Sequence, residues 1–531
     1  MMDRRTFLRT MGAAGTSCIL SPEDLLGRSL GIAAPYFGVH PFIESNPEAV
    51  FVLRTGVDSK LNSAAKRQTG LDFANSVFVS LNAPGVPIGA YVAIKPNLTC
   101  RARSHPAYTI ERSMGIVTDA WFVEGIIESL KGLGISAGHC YLREVNCFSD
   151  FADGGYIEMA ARTGADIRDL SGSVGSLPPG SVQWVDVPDG TWFSRIPYLW
   201  PVNSPGSFLI NVAKFKTHLM GVTGCAKNLQ GSIASGYVSH CRQYGQSMNV
   251  APEHVRPDAN IVIMDNYLRH VADGIPRWDR PGANGGIWQE TWATRCLDNN
   301  SVTKPALHIV EGIYGRDGHF MDGPSPEGLA TDTMTNVVLF GRNPFNVDII
   351  GHWLAGHEPG NFGLFHMAVE RGLAGTIDPM KVPVFEWSLS STATRKPLTS
   401  FSRTPLLTNF LRRDYNGQTE PLWHLVNEPY SYPTSTGEAP PTAPRDFALS
   451  QNFPNPFNGT TSIQFALPEQ GLVRVDVVTA HGEVAGVLTE GVFARGPHMV
   501  RWESNSHPSG IYFCRLRFKG KHLVRAMVLI R

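Results

Sequence analysis

FLINVAKFKTHLMGVTGCAKNLQG, Phe208 to Gly231, joins an apolar run to a cluster of cations and a glycine turn. It opens on Phe208-Leu209-Ile210-Asn211-Val212-Ala213, a short, partly β-branched apolar run that reads as a buried strand. Lys214, Lys216, Thr217 and His218 follow where that strand is expected to end, and Gly221-Val222-Thr223-Gly224 supplies a turn. Lys227 and Asn228 then open the next segment, read as a helix start. Cations and amides at the carboxyl end of a strand, beside a glycine-bearing turn, suit an anionic ligand, because turn N–H groups converge on oxygens while lysines neutralise charge. Open α/β sheets hold ligands beyond the carboxyl ends of their strands. The competing reading is a surface turn with solvated lysines.

Outward from this stretch, strand and helix patterns alternate. Ala49 to Leu53 and Tyr91 to Ile94 read as strands. Asp119 to Leu130 carries apolar residues at helical spacing and stops at Gly132 and Gly134. Ile309-Val310 and Val337 to Phe340 are further strands, and Val347 to Leu354 reads as a helix with Asp348 and His352 on one face. That pair suits either metal ligation or capping and packing, the second being the plainer reading. Trp184 to Ile196 reads as a β-rich insertion, and Ser232 to Asn300 as a long irregular region. The rhythm predicts an α/β main domain with a largely parallel sheet and long loops.

At 531 residues the chain exceeds one ordinary domain. With 42% hydrophobic and 17% charged residues it can bury large cores. A formal net charge of +0 gives no global field toward nucleic acid or an anionic membrane, so any anion site is local. No apolar stretch is long enough to be a transmembrane span. The cysteines form no CxxC pair, which argues against a zinc ribbon or a ferredoxin-type cluster. Cys140 and Cys147 are candidates for a disulfide in an oxidising compartment.

Tyr430 to Arg445, YSYPTSTGEAPPTAPR, is a linker by its Pro, Ser and Thr content. Beyond it, alternating runs such as Ser462 to Leu467 and Val473 to Val477, punctuated by glycines, predict a small antiparallel β-sandwich.

Four motifs carry a family resemblance: Asn211-x-x-Lys214-x-Lys216-Thr217-His218 with Thr223-Gly224-x-x-Lys227-Asn228; Tyr91 to Leu98 with its Lys95-Pro96-Asn97; Pro305 to Gly312 with Asp322-Gly323-Pro324; and Asn343 to Asp348. Together they resemble the domain of unknown function 362, over roughly residues 50–387. The resemblance implies a domain and no activity. At the amino terminus Arg4-Arg5-Thr6-Phe7-Leu8 and a weak apolar stretch resemble a twin-arginine signal peptide, in residues 1–34. At the other end Leu449 to Asn458, Ala480-His481-Gly482, Ser509 to Phe513 and Leu523 to Ile530 resemble a type IX secretion C-terminal sorting domain, type A. A carbohydrate-binding sandwich competes with that reading. These resemblances imply a protein exported through the periplasm by the two machineries and secreted or attached at the cell surface.

The expected organisation is therefore a signal segment over 1–34, an α/β domain over 49–429, the linker over 430–445 and a sorting sandwich over 446–531. The candidate catalytic residues are Lys216 and His218. The candidate binding residues are Lys95, Asn97, Lys214, Thr217, Thr223, Lys227 and Asn228. Lysines in one short motif can hold a phosphate, a carboxylate or an enolate-like transition state, and one held near other cations can have its pKa lowered enough to act as a base. The ligand expected is a small anion, a phosphorylated or carboxylated substrate or cofactor. A divalent metal, with Glu311, Asp322 and Asp348 as oxygen donors, is a second cofactor candidate. An exported enzyme, a non-catalytic surface binding module and a redox or iron–sulfur protein all remain open.

Overall fold

The structure, a computed structural model, describes residues 36–82, 85–98, 115–145, 151–152, 154–218, 220–234, 254–279, 285–317, 332–408, 428–432, 447–449, 451–452, 455–468, 470–493, 496–504 and 507–531. The signal segment, Asp322, Cys147 and most of the linker lie outside them. The chain divides into two compact units, Met1–Tyr432 and Pro433–Arg531.

The first unit is built on a ten-stranded mixed sheet. Its strands are β1 (Val50–Arg54), β2 (Val92–Pro96), β3 (Cys140–Leu142), β4 (Asp166–Ile167), β5 (Phe208–His218), β6 (Gly221–Thr223), β7 (Leu307–Arg316), β8 (Asp332–Gly341), β9 (Val384–Trp387) and β10 (Ala393–Arg395). The order across the sheet is β10-β9-β1-β8-β7-β5-β2-β3-β4, with β6 folded back on β5. The block β7-β5-β2-β3-β4 is parallel throughout, and β8 runs antiparallel to both its neighbours. The architecture is the α/β fold read from the sequence.

Period-two alternation sends successive strand residues to opposite faces. Phe51, Ile94, Ile210, Val212, Ile309 and Phe340 go to one core, with Phe73 and Phe122. Those two come from helices α1 (Ser63–Val77) and α2 (Ala120–Gly132). Val50, Val52, Ala213, Phe215, Val310 and Leu339 go to a second core on the other face. Helices α6 (Gly286–Val302), α7 (Pro344–Leu354) and α8 (Gly363–Glu370) close it, after α3 (Tyr156–Thr163), α4 (Cys225–Asn228) and α5 (Ala259–Ala272) in the chain. Both faces are covered, which is why the central strands read as continuous apolar runs.

Two sequence expectations are corrected. Residues 232–300 are not uniformly irregular: α5 and α6 lie there, and α6 is buried almost end to end. Its buried face mixes Gln289, Glu290, Arg295, Asp298 and Asn299 with tryptophans, so polar residues masked the helical period. The central strand also does not stop at Ala213. It continues through the motif to His218 and returns as β6, pairing Lys216 with Thr223 and His218 with Gly221. Gly221 makes that reversal at φ 98, a left-handed backbone that favours glycine. Cys140 is a free, buried thiol.

The second unit has two antiparallel sheets. One holds β11 (Ala448–Leu449), β12 (Thr460–Leu467) and β15 (Gly496–Glu503). The other orders β14 (Val484–Phe493), β13 (Gly471–Thr479), β16 (Gly510–Phe518) and β17 (Lys521–Leu529). Ile463, Phe465, Val473, Val475, Leu516 and Phe518 meet in one core between them. Among the described residues no helix is long and apolar enough to cross a membrane.

Candidate functional site

The chain leaves β2 toward β3 on one side and later returns to β5 on the other, so the strand order reverses between β2 and β5. A crevice at the carboxyl ends of two such strands is the usual ligand position in an open α/β sheet. Asn211 stands beside Lys95 in the parallel register, which brings the carboxyl end of β2 level with the start of the Lys/Thr/His motif.

The structure gathers the candidate residues into two adjoining groups. In the first, Lys95 Nζ lies 2.7 Å from Glu144 Oε2 and 3.2 Å from Asn228 Oδ1. Asn97 Nδ2 donates to the same Asn228 oxygen at 3.0 Å. Asn228 Nδ2 donates to the Lys95 carbonyl and to Asn211 Oδ1. Burial lowers the pKa of Lys95, opposed by the Glu144 carboxylate and reinforced by the charge of Lys227. His308, against Asn211, is pushed down to about 3 by burial, so its imidazole is neutral.

In the second group Lys214 Nζ donates to both oxygens of Glu311, at 3.0 and 2.8 Å, with neither side chain exposed. It also sits 3.6 Å from the centre of the Tyr314 ring. Tyr314 donates to Asp119, which pairs with Lys66 at 2.7 Å. Lys216 donates to the carbonyl of Ile116. Thr118 links the groups: its hydroxyl accepts from the Asn97 N–H and donates to the Val212 carbonyl. Thr217, His218 and Thr223 are buried at the fold-back, and Thr408 donates to the His218 carbonyl. No described contact joins Lys95 to Lys214 directly, so the lysines do not form one cluster.

Lys227 is the exception among the motif lysines. It is 8% exposed and, among the described residues, makes no hydrogen bond or ion pair. Asn97 Oδ1 and Thr223 Oγ1 are likewise buried with no hydrogen-bond partner among the described residues.

Asp348 and His352 hold the motif's backbone. Asp348 accepts from the N–H groups of Cys225 and Ala226 at 2.5 and 3.0 Å, and His352 Nε2 accepts from Val222 N–H. This is the capping arrangement, and it fixes α4. Burial raises Asp348 to about 7 despite those bonds. Burial and Asp348 together push the Cys225 thiol well up, which makes it a poor nucleophile. Among the described residues no group of His, Cys, Asp and Glu side chains is placed to hold a metal ion. Glu311 is engaged by Lys214 and Asp348 by the α4 backbone.

Glu144, Thr118, Asp119, Tyr314 and Lys66 belong to the site, and sequence reasoning did not single them out. Glu144 carried a signal, standing at the end of a strand beside Lys95's; Asp119 only opens a helical stretch in the sequence, and in the structure it also caps α2. Lys66 carried none.

The comparisons with known proteins add little chemistry. No curated protein matches the chain. Among solved structures it is similar to the Pseudomonas fluorescens alkylpurine DNA glycosylase AlkC bound to DNA containing an abasic site analog, at 15% identity and a TM-score of 0.13. That likeness covers 16% of this chain and 30% of that one, and it carries no argument. Residues 92–352 match the model of the family described as Domain of unknown function (DUF362), a span that contains the motif lysines Lys95, Lys214, Lys216 and Lys227 but not Lys66.

Proposed function

We propose that this chain binds a small anionic ligand, phosphorylated or carboxylated, at the carboxyl ends of β2 and β5, and that it does so as an exported protein. The observation that carries the reading is the placement of Lys95, Asn97, Lys214, Lys216, Lys227 and Asn228 where the strand order reverses. Buried carboxylates neutralise Lys95 and Lys214, and Lys227 has no such partner among the described residues. It is the cation the reading assigns to the ligand. A thermal-shift titration of the full chain with inorganic phosphate and with succinate tests this. Stabilisation that rises with concentration and is lost in Lys227→Met supports it. No shift with either anion up to tens of millimolar overturns it.

A catalytic form of the same reading gives Lys216 and His218 the proton-transfer roles. Their burial at the fold-back, across from Thr223 and Gly221, favours it. Loss of turnover with binding retained in Lys216→Met or His218→Gln would separate an enzyme from a binding module.

The export part rests on Arg4-Arg5 and on the motifs of the C-terminal β unit. Replacing both arginines by lysine, or removing residues 446–531, should trap the chain at successive compartments in a bacterium that has both machineries. Unchanged secretion in both variants would remove this part.

A further inference from the structure

The amide chain through the site has a direction. Asn211 Nδ2 donates to the Cys225 carbonyl at 2.8 Å and lies 3.0 Å from His308 Nδ1. Its Oδ1 therefore faces Asn228, whose Nδ2 donates to it at 2.8 Å and to the Lys95 carbonyl at 3.1 Å. That leaves Asn228 Oδ1 to accept from Lys95 Nζ and Asn97 Nδ2. A lysine ammonium only donates, so turning Asn228 over would set donor against donor. Asn97 is then fixed as well, because its oxygen would otherwise face the oxygen of Asn228. The chain ends on Asn97 Oδ1, an acceptor on a residue 2% exposed, with no donor among the described residues.

We infer that the ligand of this site carries a hydrogen-bond donor beside its anionic group and delivers it to Asn97 Oδ1: a hydroxy- or amino-substituted carboxylate or phosphate ester, not a bare anion. The inference rests on the anion-binding reading above and narrows its ligand class. A buried acceptor left without a donor keeps its desolvation cost uncompensated. A ligand that supplies the donor recovers that cost, and an isostere lacking it does not. Lys227, next to Asn228 in the chain and without a hydrogen bond or ion pair among the described residues, is the cation left for the anionic group.

Matched pairs test this by calorimetric titration of the full chain: lactate against propionate, and 2-aminoethyl phosphate against ethyl phosphate. The donor-bearing member should bind roughly tenfold to a hundredfold more tightly. In Asn97→Leu the two members should bind alike. If Asn97→Leu does not fold, the wild-type pairs decide alone. Pairs that bind equally to the wild type, with binding lost in Lys227→Met, overturn the donor requirement and leave the anion site standing, as an ordered water on Asn97 would give. If no member of either pair binds, the anion-binding reading falls and this inference with it.

Discussion

Glu144 Oε2 stands 2.7 Å from Lys95 Nζ, and both side chains are sealed from solvent at the ends of neighbouring parallel strands. Such a pair contributes little net stability, because taking both charges out of water costs about what their attraction returns. Removing one partner is different, since it strands the other charge in the interior. Lys95→Met and Glu144→Leu should each lower the unfolding free energy by roughly 3–5 kcal/mol, and the double variant by less than their sum. Urea unfolding of the three variants measures the coupling, and strict additivity would contradict the pairing.

Gly231 closes the other side of that carboxylate. A β-carbon there would stand 2.0 Å from Glu144 Oε1 and 2.7 Å from its carboxyl carbon. Gly231→Ala must therefore displace Glu144 from Lys95, at a cost of about 1–3 kcal/mol. A thermal melt of the Ala variant checks this. Combining Gly231→Ala with Glu144→Leu should add little, because the displaced group is already gone.

Most of the scaffold was legible in the sequence because the parallel strands are buried on both faces. Val92 to Ile94 and Phe208 to Ala213 are apolar runs for that reason. The helix Gly286–Val302 escaped because Asp298 is buried to accept from the N–H groups of Thr191, Trp192 and Phe193, and Glu290 to meet His270 and Trp278. Polar residues with interior partners look like surface residues in a linear reading. The site was legible only in its cations. Glu144, Glu311 and Asp119, which turn buried lysines into neutral pairs, lie 49, 97 and 53 positions from Lys95, Lys214 and Lys66. Spacing alone cannot join residues so far apart.

His270 ties α5 to α6 and α8, with Nδ1 2.7 Å from Glu290 and Nε2 2.8 Å from Glu370. Burial lowers its pKa, but the two carboxylates override that and raise it to about 9. Burial raises Glu370, while the bond from His270 and the charge of Arg269 bring it to about 2. A raised histidine contributes stability that is complete below its unfolded pKa and is lost as pH rises through its folded one. The stability gap between wild type and His270→Gln should therefore be widest below about pH 6.5 and shrink toward pH 9. Glu370 acts in the opposite direction only under acid, as pH falls from about 4.5 toward 2. Parallel urea titrations at pH 6 and pH 9 measure the gap, and a gap independent of pH would show that His270 is not charged in the fold.

Lys214 and Lys227 belong to one sequence motif, yet their removal should have opposite consequences. Lys214→Met leaves the Glu311 carboxylate buried with its ammonium partner gone, keeping only N–H donors such as those of Asp119 and Ile313. A loss of roughly 3–5 kcal/mol is expected. Lys227→Met strands no carboxylate among the described residues, and it removes a charge that opposes the charged form of Lys95. Its melting temperature should equal or exceed that of the wild type in the absence of anions. The phosphate-dependent rise in melting temperature should then disappear in Lys227→Met. A Lys227→Met variant that is as unstable as Lys214→Met would mean that both lysines serve the fold, and it would take from Lys227 the ligand role argued for it.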